Sequence, residues 1–128
     1  MTNQTSILIV DDNASLRQTL SLILEHKGYA VATAQDGLQA VERVKEKPFD
    51  LALLDIKMTP IHGVETYRRI KKIRPEAVVI MMTAYTVEDL VQEALQAGAH
   101  GVVYKPLDIK KAIELIEKMT GKQDREKR

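Results

Sequence analysis

Leu51-Ala52-Leu53-Leu54-Asp55 is a wholly apolar run that ends on a carboxylate. A short run with no polar alternation reads as a strand buried on both faces. Three more runs share the pattern. Ile7-Leu8-Ile9-Val10 leads into Asp11-Asp12, Val78-Val79-Ile80-Met81-Met82 into Thr83, and Val102-Val103-Tyr104 into Lys105-Pro106. Segments of helical period separate them, so strands and helices alternate, five of each. Strict alternation implies a parallel sheet with right-handed crossovers and helices on both faces. Parallel strands end at one edge, so the acid pair, lone acid, hydroxyl and lysine converge there.

The elements follow from capping and breaking residues. Strand one is Ser6 to Val10, and Asn13 caps a helix that buries Leu16, Leu20, Ile23 and Leu24 and stops at Gly28. Strand two runs from Tyr29 to Thr33; Asp36 caps helix two, which turns Ala40, Val41 and Val44 inward and ends at Lys47-Pro48. Strand three is Phe49 to Leu54, helix three Gly63 to Ile73, and strand four Ala77 to Met82. Thr86 and Asp89 form a capping pattern for helix four, which Gly98 terminates; strand five is Gly101 to Tyr104, and Asp108 caps helix five. Strand two, with Ala30, Ala32 and Ala34 among polar residues, reads as an edge. The expected order is 2-1-3-4-5, with the topological switch point between strands one and three, beside Asp11, Asp12 and Asp55.

Composition narrows the class. The 128 residues make one domain, 1–120, followed by a charged tail or linker start, 121–128. Net charge is +1 with basic residues scattered, so neither nucleic acid nor a membrane is an expected partner. The absence of cysteine excludes disulfides, thiolate metal sites and thiol catalysis. No stretch reads as a signal core or a membrane span, and Met1 reads as a true start. A soluble, cytoplasmic protein is expected.

Each polar strand end alone reads equally well as an ordinary turn or surface residue; together they specify chemistry. Asp11, Asp12 and Asp55 can hold a hard divalent cation, with a backbone carbonyl at Lys57. Magnesium is the expected ion, manganese an alternative. Asp55 is placed to attack phosphorus and become an aspartyl phosphate. Thr83, Lys105 and the Ala84 backbone N–H would bind the phosphoryl oxygens.

This set closely resembles the receiver domain of two-component response regulators, over Ser6 to about Met119. Asp11-Asp12, Asp55-x-x-Met58 with Gly63, Thr83-Ala84, Lys105-Pro106 and Ala97-Gly98-Ala99-x-Gly101 all fall where that family has them. The resemblance implies a flavodoxin-like (βα)5 fold, and a regulatory phosphoacceptor rather than an enzyme. It implies phosphoryl transfer to Asp55 from a sensor histidine kinase or histidine phosphotransfer protein, with small acyl phosphates as further donors. Docking is expected near helix one, and readout through helix four, strand five and helix five to an output domain, an effector or a second copy in a phosphorylation-dependent homodimer. A cis Lys105-Pro106 bond is also implied.

Three positions depart from the family pattern. Thr59 follows Met58, with proline only at Pro60, which implies a slightly altered loop. The usual switch aromatic is replaced by Val102, and Tyr104 is expected on the opposite side of the sheet. Lys57 and Tyr85 hold the positions that tune phosphoryl lifetime; neither suits an attacking water, so slow self-dephosphorylation is expected. His26, His62 and His100 read as solvated, and Arg68-Arg69-x-Lys71-Lys72 as a solvated face.

Two other readings compete. An aspartate-nucleophile phosphohydrolase would need a second aspartate where Lys57 stands. A constitutive scaffold is suggested only by Val102, against the complete acid set.

Overall fold

The computed structural model describes residues 4–84 and 88–121. Strands β1 (Ser6–Val10), β2 (Ala30–Ala34), β3 (Leu51–Asp55), β4 (Val78–Thr83) and β5 (Gly101–Tyr104) alternate with five helices. These are α1 (Ala14–His26), α2 (Gly37–Glu46), α3 (Gly63–Ile73), α4 (Glu88–Gln96) and α5 (Ile109–Thr120). All pairings are parallel, in the expected order β2-β1-β3-β4-β5.

Strand alternation divides the core in two. Leu8, Val10, Ala52, Leu54, Val79 and Met81 pack with Val44 of α2, Val64, Tyr67 and Ile70 of α3, and Val91 of α4. Ile7, Ile9, Leu51, Leu53, Ile80 and Met82 pack with Leu20 and Leu24 of α1 and Ile113 and Ile116 of α5. Every residue of β3 is buried. Each fully buried aliphatic chain contributes about 1.5–3 kcal/mol, so the strand that carries Asp55 is firmly anchored.

Three strand boundaries differ from expectation. β2 and β4 each lie one residue later than their apolar signal, and β3 starts at Leu51 and continues through Asp55. The backbone ladder does not stop where side chains turn polar. Ile56 N donates to Met82 O at 3.1 Å and Lys105 N to Thr83 O at 2.7 Å, which keeps Asp55 and Thr83 inside their strands.

Tyr104 requires a larger correction. By alternation with its neighbour Lys105 it is expected on the opposite side of the sheet; it packs with Val102, the switch position, against the core beneath α2, α3 and α4, while Val103 packs on the α1 and α5 side. The reason is the two-residue period of a strand: Val102 and Tyr104 are two apart and share a face.

Capping follows the sequence closely. Asn13, Asp36 and Asp108 accept from the backbone N–H groups of Leu16, Gln39 and Lys111 at 3.1, 2.8 and 3.1 Å. Gly28 and Gly98 leave α1 and α4 with φ of 100° and 112°, in the left-handed region that favours glycine. The expected cap at Thr86 and the tail from residue 122 lie outside the described residues.

Candidate functional site

The β1–α1 turn is short, and its hydrogen bonds fix the acid pair. Asp11 is fully buried: its N–H donates to Ala34 O at 3.2 Å, and its Oδ1 accepts from Asn13 N at 2.8 Å. Its carbonyl accepts from Arg17 Nη1 at 2.7 Å. Asp12 is exposed. Asp55 reaches the same place from the end of β3, only 4% exposed. Carboxylate oxygens of Asp11, Asp12 and Asp55 lie within 4.8 Å of one another.

Three acids this close repel one another, and Lys105 moderates that repulsion. Its Nζ lies 2.8 Å from Asp11 Oδ2 and 3.3 Å from Asp55 Oδ2. Burial alone would lower the lysine's affinity for its proton. Its bond to Asp11 and the charges of Asp55 and Asp11 outweigh burial and hold Lys105 above its ordinary pKa. Burial, then the Asp11 charge, push Asp55 up to about 6 despite the pull of Lys105. One ammonium does not satisfy the cluster. A hard divalent cation bound by oxygen fits this donor set.

An open cleft of about 450 Å³ leads to Asp55, lined by Asp12, Lys57, Met58, Ala84 and Lys105 among others. Lys57 N donates to Asp55 Oδ1 at a long 3.4 Å. Thr83 is fully buried, and its hydroxyl donates to the Ala84 carbonyl at 3.2 Å. Thr83 therefore sits at the expected strand end with its hydroxyl engaged by the backbone. Tyr85 lies outside the described residues.

Neighbouring loops close tightly on the site. A Cβ on Gly63 would sit 2.4 Å from the Asp55 carbonyl oxygen, so only glycine lets α3 begin here. Gly63 N donates to Ile56 O at 2.7 Å. The Thr59–Pro60 and Lys105–Pro106 peptides are both cis.

Several roles were not anticipated. His62 caps α3, its Nδ1 accepting from Glu65 N at 3.2 Å, and His100 Nδ1 accepts from Val79 N at 3.3 Å. The spacing His62-x-x-Glu65 ahead of an apolar face was the available signal for the first. Three of the four basic residues of α3 are engaged within the chain: Arg68 with Glu93 at 2.9 Å, Arg69 with Glu65 at 3.0 Å, and Lys71 with Pro75 O at 2.6 Å. Arg17 had no individual reading in the sequence.

Comparison with known proteins gives a consistent result. A family model described as the response regulator receiver domain matches residues 7–117. The transcriptional regulatory protein ZraR of Klebsiella oxytoca is 47% identical over 108 residues, which is 84% of this chain and 24% of that protein. The chain thus spans about a quarter of the length of that regulator. Chemotaxis protein CheY of Bacillus subtilis is 40% identical over 88% of this chain and 94% of its own length. The CheY-like receiver domain protein from Methanospirillum hungatei JF-1 superposes with a TM-score of 0.89 at 31% identity, covering 97% of this chain and 99% of that one.

Proposed function

Because this chain belongs to the response regulator receiver family, we propose that Asp55 is its phosphoacceptor and that the aspartate's state sets which partners the domain binds. The observation that supports this most is the meeting of Asp11, Asp12 and Asp55 oxygens within 4.8 Å, beside a lysine 3.3 Å from Asp55.

In the proposed reaction an Asp55 carboxylate oxygen attacks phosphorus. The phosphorus–nitrogen bond of a partner's phosphohistidine breaks, and the imidazole leaves. Magnesium, or manganese, held by Asp11, Asp12, Asp55 and the Lys57 carbonyl, would supply positive charge between two anions that otherwise repel. Lys105 keeps its charge throughout and turns from Asp55 toward a phosphoryl oxygen. The Thr83 hydroxyl rotates from the Ala84 carbonyl to a second oxygen, and the Ala84 N–H donates as well. Asp55 reacts as the ionised carboxylate, the form that a bound cation would favour.

The donors are a sensor histidine kinase or a histidine phosphotransfer protein, and small acyl phosphates. Residues 1–120 form the receiver, and 121–128 a tail or linker start. The surface of α4, β5 and α5 carries the readout to an output domain, an effector or a second copy. Lys57 and Tyr85 leave attacking water unpositioned, so the aspartyl phosphate decays slowly. Among the described residues no helix is long and apolar enough to cross a membrane, in keeping with a cytoplasmic setting.

Intact mass after incubation with acetyl phosphate and magnesium tests the proposal. A phosphoryl-sized gain that needs both magnesium and Asp55, and that is absent in Asp55→Asn or with chelator, is expected. No gain, together with no conformational response to beryllofluoride, would exclude it.

A further inference from the structure

Asp11 is held at each of its polar groups. Three of the partners are the Ala34 carbonyl, the Asn13 N–H and Lys105. The fourth is a side chain of α1: Arg17 Nη1 bonds the Asp11 carbonyl at 2.7 Å. The distance is short for an N–H···O contact, and a charged donor makes it one of the stronger kinds.

Peptide planarity extends the reach of that bond. The Asp11 carbonyl and the Asp12 nitrogen share one rigid plane. Holding the carbonyl leaves Asp12 only its own dihedrals with which to aim its carboxylate. Asp12 is exposed, so burial does little to hold it, yet its oxygen joins those of Asp11 and Asp55. We infer that Arg17 is a positioning residue for the metal site: it locks the Asp11–Asp12 peptide and so aims Asp12 at the oxygen cluster. The inference rests on the proposed function, since it takes the three carboxylates as metal ligands.

Charge acts in the opposite direction. Arg17 is a cation near the carboxylates and repels a divalent ion. If charge were its only effect, removing Arg17 would tighten metal binding. If positioning dominates, removal weakens it. The two roles differ in sign, and one titration separates them.

The experiment is calorimetric titration of magnesium into the wild-type protein, Arg17→Met and Arg17→Lys, with folding checked by circular dichroism. Arg17→Met is expected to bind magnesium about tenfold more weakly or worse, the usual consequence of losing an outer-shell partner. Arg17→Lys, which keeps the charge but not the planar fork, should fall between. In the metal-free protein the Asp12 amide should exchange hydrogen faster in Arg17→Met. Equal or tighter magnesium binding by folded Arg17→Met overturns the inference. Should that variant not fold, Arg17→Lys decides: weaker binding supports positioning, and wild-type affinity overturns it. If the wild-type protein does not bind magnesium, or Asp12→Asn binds it equally well, the proposed function fails and the inference with it. Wild-type binding that is indifferent to Arg17 removes the inference alone.

Discussion

The Tyr104 hydroxyl donates to a Glu88 carboxylate oxygen at 3.2 Å, joining the last residue of β5 to the first residue of α4. Tyr104 is also the register partner of Thr83 and the chain neighbour of Lys105. A single contact therefore links the end of the site to the helix beside it. Because the bond is exposed, its net worth is small, about 0.5–1 kcal/mol. Tyr104→Phe and Glu88→Gln should each lower stability by that amount in urea melts, and the double variant by no more than either. Amide exchange at the start of α4 should accelerate in all three. Fully additive losses would show that the pair is not coupled.

Asp55 carries a pH-dependent cost. Its pKa is about 6 in the folded protein against an ordinary 3.8, so the folded state holds the proton more tightly than the unfolded state does. That contribution to stability is fully present below about pH 4 and disappears as pH rises through 6. Asp55→Asn removes the cost of the buried charge and should stabilise the metal-free protein at pH 8 by on the order of 1–2 kcal/mol, allowing for solvent on its open side. The advantage should shrink at pH 5. Denaturant midpoints at the two pH values measure both quantities.

Magnesium should offset the same repulsion. At a hundredfold excess over its dissociation constant, a ligand that binds only the folded state adds about 2.7 kcal/mol. A thermal melt should therefore shift upward with magnesium and return with chelator. The shift should be largely absent in Asp12→Asn, whose fold rests on no burial at that position.

Gly63 allows α3 to lie against the carbonyl of Asp55. Gly63→Ala would place a Cβ 2.4 Å from that oxygen and 2.6 Å from the Ile56 Cα. Both are backbone atoms that cannot rotate away. A loss of about 2–4 kcal/mol is expected by denaturant melt, with displacement of the strand end that bears Asp55.

His62 offers a gain. An imidazole nitrogen caps α3 where a carboxylate would accept the same N–H and suit the helix dipole better. His62→Asp should stabilise the protein by about 0.5–1 kcal/mol in a thermal melt.

Most of the architecture was legible because β1, β3 and β4 are apolar runs and three helices begin on Asn or Asp capping side chains. The site was legible because its residues end those runs. What escaped depended on relations between distant elements. The ladder carries β3 and β4 past their last apolar residues, a matter of inter-strand hydrogen bonds. The face of Tyr104 follows from the two-residue period counted from Val102, not from its neighbour Lys105. Glu88 meeting Tyr104, and Arg17 turning back to Asp11, follow only from the three-dimensional packing of α4 and α1.

The place of β5 in the sheet has a mechanical consequence. β3, which carries Asp55, is clamped by neighbours on both sides, whereas β5 hangs from β4 alone. Lys105 N is tied to Thr83 O, so any displacement of Thr83 pulls on the more compliant of its two flanks. By strand order, Asp55 is backed on both sides, whereas the margin next to Thr83 has one neighbour only. A displacement begun at Thr83 would therefore be passed first to β5, whose Tyr104 reaches Glu88 of α4.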